Sequence, residues 1–183
     1  MTPAAVVSPA KRSPGRLISG VGLAVLFAAT VVTLVVNTRN PSGETTPQGA
    51  LRVPASLAGN PMVTSLRGAA ALADVSRLHG KTIDAVDAAV ARYQNGATLW
   101  VSASPSALAA SRLLWRMNRR MANGTQVFSA PRPQQIGGRS VFVTEGIGQI
   151  HYYYQSGARV IWLALPPGLH ASVALETLLN VYP

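Results

Sequence analysis

Leu17 to Val36 is a run of twenty residues without a single charge, preceded by a short basic tail. At about 1.5 Å of rise per residue, a helix of that length matches the roughly 30 Å hydrocarbon core of a bilayer. Twelve of the twenty are Leu, Ile, Val or Phe, each favouring insertion by about 0.3 to 0.6 kcal/mol, against mild penalties from Ser19, Gly20, Gly22, Thr30 and Thr33. A buried core helix is normally shorter and does not run into a Pro-rich stretch. A cleaved signal peptide shares the basic tail and the apolar run. Here, however, the run exceeds the usual span of about 7 to 15 residues, and no clean small-x-small site follows it before Asn37. A retained single-pass anchor is therefore expected over residues 17–36.

Orientation follows from the flanking cations. Lys11, Arg12 and Arg16 lie in the tail, residues 1–16, which has no acid; Arg39 and Arg52 lie on the other side. The balance points to a cytoplasmic tail and an exported C-terminal part, periplasmic or extracellular. Within the run, Gly20, Ala24 and Ala28 recur every four residues. Small side chains in that spacing let a second helix approach closely, so lateral packing against another membrane-protein subunit is expected there.

Residues 37–61 carry Pro41, Pro47, Pro54 and Pro61 among Gly, Ser and Thr, the composition of a semi-extended tether. Residues 62–183 then read as one folded domain of ordinary size. Met62 to His79 has Leu66, Ala69, Leu72 and Val75 at intervals of three, as a helix does, and Gly80 closes it. Asp84 to Gln94 and Ala97 to Ala103 flank Asn95-Gly96, a strong hairpin signal. Ser104 and Pro105 open a helix that runs to about Asn123. After a Pro-containing loop, Arg139 to Glu145, Gln149 to Gln155 and Ala158 to Leu165 read as strands, and His170 to Tyr182 as a final helix. Helix, two strands, helix, three strands, helix predicts an α+β fold: an antiparallel sheet of about five strands with helices packed on one face.

Face assignment extends this reading. A two-residue Ser156-Gly157 loop places Ile150, Tyr152, Tyr154, Ile161, Leu163 and Leu165 on the core face and His151, Tyr153, Val160 and Trp162 on the other. A two-residue Asn95-Gly96 loop sets Leu99, Val101 and Ala103 with Val90, and Thr98, Trp100 and Ser102 with Tyr93. The second face then gathers Tyr93, Trp100, Phe142, Tyr153 and Trp162. Left uncovered, such a group of aromatics is a docking surface; the helix over residues 62–79 or the tether is the element that would cover it.

On the central helix, Arg112, Arg116, Arg119 and Arg120 recur beside an apolar side of Leu113, Met117 and Met121. An arginine stripe suits anionic lipid headgroups or an acidic partner; a plain solvated helix face is the alternative. A net charge of +10 suggests nucleic acid, but an exported domain rarely meets any and three of the charges lie in the tail, so no nucleic-acid partner is expected.

Chemistry is poorly represented. The chain has no cysteine, which excludes disulfides, c-type haem attachment and Cys-ligated iron–sulfur clusters. His79, His151 and His170 have no metal-ligand spacing, and Glu44, Asp74, Asp84, Asp87, Glu145 and Glu176 are too dispersed to nominate an acid/base pair. No enzyme activity, catalytic residue, metal or cofactor is expected.

A basic-tailed single anchor ahead of a cysteine-free exported domain resembles the layout of single-span proteins of high-GC bacteria. More loosely, it is similar to the single-span accessory subunits of bacterial quinol-oxidising complexes of the alternative complex III type. The resemblance covers layout and no residue motif. It implies a non-catalytic accessory or structural subunit of a multi-subunit electron-transfer complex, whose redox centres sit on other subunits. An anchored, exported sensor or ligand-binding domain is the other class the layout admits; the sixteen-residue tail is too short to fold into a signalling domain.

Overall fold

The computed structural model describes residues 51–79 and 83–183. The basic tail, the apolar run with Gly20, Ala24 and Ala28, residues 37–50 and Gly80 lie outside the described residues. Among the described residues no helix is long and apolar enough to cross a membrane.

The strands are β1 (Ser56–Leu57), β2 (Asn60–Arg67), β3 (Asp87–Tyr93), β4 (Thr98–Ala103), β5 (Arg132–Ile136), β6 (Arg139–Gly146), β7 (Gln149–Ser156) and β8 (Arg159–Leu165). The helices are α1 (Gly68–His79), α2 (Ala107–Met121) and α3 (Ala171–Val181). All strands pair antiparallel in one eight-stranded sheet of order β1-β2-β3-β4-β8-β7-β6-β5. Two meanders thus meet where β8 returns beside β4. The α+β class and the antiparallel sheet agree with the sequence reading, but the sheet has eight strands rather than about five.

Helices cover both faces rather than one. On one face α3 packs Ala174, Leu175, Leu178 and Tyr182 onto Ala89, Leu99, Val101, Val141, Tyr154, Ile161 and Leu163. On the other, α1 sets Ala71 and Val75 against Ala88 and Val90, while α2 lies over β7 and β8. Successive strand residues point to opposite faces, so β8, enclosed on both sides, reads as the nearly continuous apolar run Val160 to Leu165.

The expected helix over residues 62–79 divides into strand and helix. Met62 pairs with Tyr93 and Thr64 with Arg92, so Val63 is the extra residue of a β-bulge. Met62 and Leu66, four apart, would share one face of a regular strand. The bulge reverses the alternation, and Met62 joins the α3-side core while Leu66 joins the α1-side cluster. That broken alternation, running straight into the Ala-rich α1, is why the segment reads as one helix.

Residues 51–57 belong to the domain rather than to a tether. Leu51 and Leu57 are buried in the α3-side core. The Tyr93 hydroxyl donates to Pro54 O at 3.0 Å, and the Tyr182 hydroxyl to Arg52 O, strapping the segment down. β5, read as a loop because of Pro131 and Pro133, is an edge strand, where a missing N–H is tolerated.

Ile147 and Gly148 form the tight turn between β6 and β7, with φ of 54° and 69°. These left-handed values are those of a type I′ turn, which favours Asn-Gly. A β-branched side chain there costs about 1 to 2 kcal/mol, and Ile147 is half exposed, so little packing offsets it. Ile147→Asn is therefore expected to stabilise the domain by about 1 kcal/mol, read as a higher denaturation midpoint with unchanged slope.

Candidate docking face and basic helix

Four of the five aromatics assigned to a docking face do share one face. Trp100 pairs with Trp162, Trp162 with Tyr153, and Tyr153 with Phe142, across β4, β8, β7 and β6. Tyr153 lies parallel to Trp162 at 4.5 Å between ring centroids and 9° between planes, and to Phe142 at 5.5 Å and 21°. The β7–β8 loop is Gly157-Ala158 rather than Ser156-Gly157, since Ser156 pairs with Arg159. The register moves by two residues, and an even shift leaves every side chain on its expected face.

Tyr93 is on the opposite face. Its N–H donates to Ala97 O, and Gly96 N–H to Tyr93 O, both at 2.9 Å. The loop is thus the three residues Gln94, Asn95 and Gly96, with Gly96 in the left-handed region, a common three-residue hairpin. One extra loop residue shifts the pairing by one and exchanges faces. Tyr93 enters the α3-side core and Val90 the α1-side cluster. Burial pushes the Tyr93 phenol up to about 12, with the Tyr182 phenol adding to the rise.

The aromatic ladder is not an open docking surface. α2 covers it over β7 and β8, and at its other end Trp100 packs against the α1-side cluster. The Tyr153 hydroxyl donates to Asn118 Oδ1 of α2 at 2.6 Å. Gln155 donates to Ala107 O at 2.9 Å and accepts from the Ser111 hydroxyl at 2.9 Å. Tyr153 is fully buried, and that burial raises its phenol far above the ordinary value. Phe128, from the loop after α2, meets His151 edge-on at 5.0 Å and Trp162 at 5.9 Å.

His151 completes this layer. Trp162 Nε1 lies 3.0 Å from His151 Nδ1, and His151 Nε2 lies 2.9 Å from Gly146 O. An indole nitrogen can only donate, so Nδ1 accepts, Nε2 carries the proton and the ring is neutral. Desolvation lowers its pKa, opposed in part by the Gly146 bond. Protonation puts a second hydrogen against the indole N–H. The folded protein then binds this proton less readily than the unfolded chain. The stabilisation is complete above about pH 6.5, the unfolded value, and is lost as pH falls below it. Denaturant midpoints are expected to drop over that range, and His151→Gln to flatten this part of the profile; a midpoint constant from neutral pH to about 5 contradicts the neutral-ring assignment.

The sequence singles out no role for Phe128 or Asn118 in this layer, and Gly146 reads there only as part of a Gly146-Ile147-Gly148 strand turn. Asn118 alone carried a signal, a polar residue one position from Met117 on the inward side of α2.

Arg112, Arg116, Arg119 and Arg120 are all exposed along α2. The inner side, with Ala110 and Met121, is buried. The helix is capped by Ser106, whose Oγ accepts from Ala109 N–H at 3.2 Å, two residues later than the expected Ser104. Arg116 pairs with Asp84 at 3.0 Å, and the Arg119 guanidinium lies 5.1 Å over the Trp115 ring.

The remaining titratable groups are dispersed. His79 is exposed, with Nδ1 2.8 Å from Val75 O, and His170 is exposed at the start of α3. Asp74 pairs with Arg77 and Glu145 with Arg132, and Asp87 accepts from Ala88 N–H. Among the described residues no three His, Cys, Asp or Glu side chains are placed to share a metal ion.

Comparison with known proteins leaves the reading to these residues. No family model matches the chain, no curated protein is similar to it, and no solved structure matches its fold.

Proposed function

We propose that the chain is a non-catalytic, single-span accessory subunit of a multi-subunit membrane complex, with residues 17–36 as its anchor and the domain exported. One observation carries this reading. The side chains best suited to chemistry, His151, Tyr153, Trp162 and Asn118, bond to one another or to backbone inside the domain, while the densest run of exposed charge lies on the outside of α2. Such a domain is equipped to bind rather than to react. Partner subunits meet the anchor along Gly20, Ala24 and Ala28. Quinol-oxidising electron-transfer complexes of the alternative complex III type are assemblies whose layout it shares.

The test is purification of the native chain from its own membranes in mild detergent, with mass spectrometry of whatever co-migrates stoichiometrically. A defined set of membrane subunits, lost when Gly20 and Ala24 are replaced by Leu, is the expected result. A chain that runs alone overturns it. That outcome favours the second reading, an exported sensor or ligand-binding domain, for which an open groove of about 420 Å³ beside α3 speaks, lined in part by Arg139, Ser172, Glu176 and Asn180.

A further inference from the structure

Leu108, Arg112, Trp115 and Arg119 follow one another on α2 at spacings of four, three and four, which places them on a single stripe. They run the outer length of the helix for about 16 Å. All four are exposed, Leu108 by 61% and Trp115 by 58%. Arg116 and Arg120 flank them, and the pair between Arg116 and Asp84 is exposed at both ends, hence weak.

This pattern differs from an ordinary solvated face in two ways. A Trp and a Leu two turns apart project from its centre. Moreover, the chain from Ala88 to Thr144 holds seven arginines and no Asp, Glu or Lys. Guanidinium groups bind phosphate oxygens through a planar fork that ammonium groups lack. Indoles favour the boundary between headgroups and acyl chains, and cationic helices with Trp and Leu on one side lie in that boundary. An acidic protein surface satisfies the charges but gives Leu108 and Trp115 no matching depth.

We propose that the outer face of α2 rests on an anionic phospholipid surface, with Leu108 and Trp115 entering the headgroup boundary and Arg112, Arg116, Arg119 and Arg120 binding lipid phosphates. The inference rests on the anchored reading above in one respect. If residues 17–36 span the bilayer, the fourteen residues 37–50 let the domain reach no more than about 50 Å from it, so the surface is always at hand. The domain then lies against the membrane on its α2 side, leaving the α3 side turned away.

The three tryptophans make this measurable, because Trp100 and Trp162 lie under helices and Trp115 does not. The full chain is reconstituted into nanodiscs of phosphatidylcholine alone, or of phosphatidylcholine with phosphatidylglycerol, each with lipid brominated near the headgroup end of the acyl chain. Quenching of tryptophan emission is expected with phosphatidylglycerol, weaker without it and at high salt. It is expected to disappear in Trp115→Phe and to fall at least twofold in Arg112→Gln/Arg119→Gln. These are exposed positions, and circular dichroism checks that each variant is folded. No quenching with phosphatidylglycerol, equal quenching in both lipids, or quenching that survives Trp115→Phe overturns the proposal. A chain that co-purifies with subunits yet shows no quenching fails here alone, whereas one that runs alone yet is quenched fails only the accessory reading.

Discussion

Tyr153→Ala is expected to remove about 3 to 5 kcal/mol of stability, the range for truncating a buried aromatic, out of the roughly 5 to 15 kcal/mol that domains possess. The ring is fully buried and fills the space between Phe142 and Trp162, parallel to both. Those rings sit on β6 and β8 of the same sheet and cannot close the gap without moving strands, so the cavity persists. The hydroxyl is a separate contribution. Tyr153→Phe loses the bond to Asn118 but keeps the stack, and is expected to cost about 1 kcal/mol. Denaturant titration of the full chain in detergent, followed by circular dichroism, separates the two. Equal losses in Phe and Ala would place the stabilisation in the hydrogen bond to α2 and leave the stack without weight.

How much of this layer was legible depends on parity. Across Gly157-Ala158 the assumed loop was displaced, but by a register shift of two, so Tyr153 and Trp162 kept their face. Across Asn95-Gly96 a single additional loop residue reversed Tyr93 and Val90. Nothing local distinguishes a two-residue from a three-residue loop around Asn-Gly, since Gly96 suits the left-handed position of either. The bulge at Val63 hid a strand by the same arithmetic.

The cover of the aromatic face was legible in principle. α2 has an apolar side in Leu113, Met117 and Met121, and a helix with such a side must bury it against something. Once α3 occupies one face of the sheet, only the other remains for α2. Taking all helices to one face missed this, and the covers expected for the aromatics were the helix over residues 62–79, whose α1 part does reach Trp100, or the tether rather than α2. The outer side of α2 was legible as charge but not as chemistry. The arginines declare themselves in the sequence, and spacing puts Leu108 and Trp115 on one stripe with Arg112 and Arg119, but whether that stripe faces outward depends on which side of the helix the sheet claims. Polar groups at Asn118, Ser111 and Gln155 set that rotation.

Gly146→Ala is expected to destabilise the domain by about 1 to 3 kcal/mol through overpacking. Gly146 does not have a left-handed backbone, so the requirement is space. A Cβ there falls 2.5 Å from Val127 O and closer still to Phe128 Cδ1. Neither neighbour yields easily. Thr125 Oγ1 accepts from both Val127 and Phe128 N–H, Thr125 N–H donates to Phe128 O, and Ser129 N–H to Glu145 O. The Phe128 ring is meanwhile held edge-on to His151 and Trp162. The added methyl must therefore displace a bonded turn or lift Phe128 off the ladder. Because the same residue supplies the carbonyl that holds His151 Nε2, lifting the turn also loosens the Trp162 to His151 to Gly146 chain. Phe128→Ala removes one of the two clashing groups, so Gly146→Ala/Phe128→Ala is expected to cost less than the sum of its single changes by about 0.5 kcal/mol or more, the usual threshold for residues in contact. Strict additivity in denaturant titrations would mean that Phe128 does not seat on Gly146 and that the loop after α2 reaches the ladder by another route.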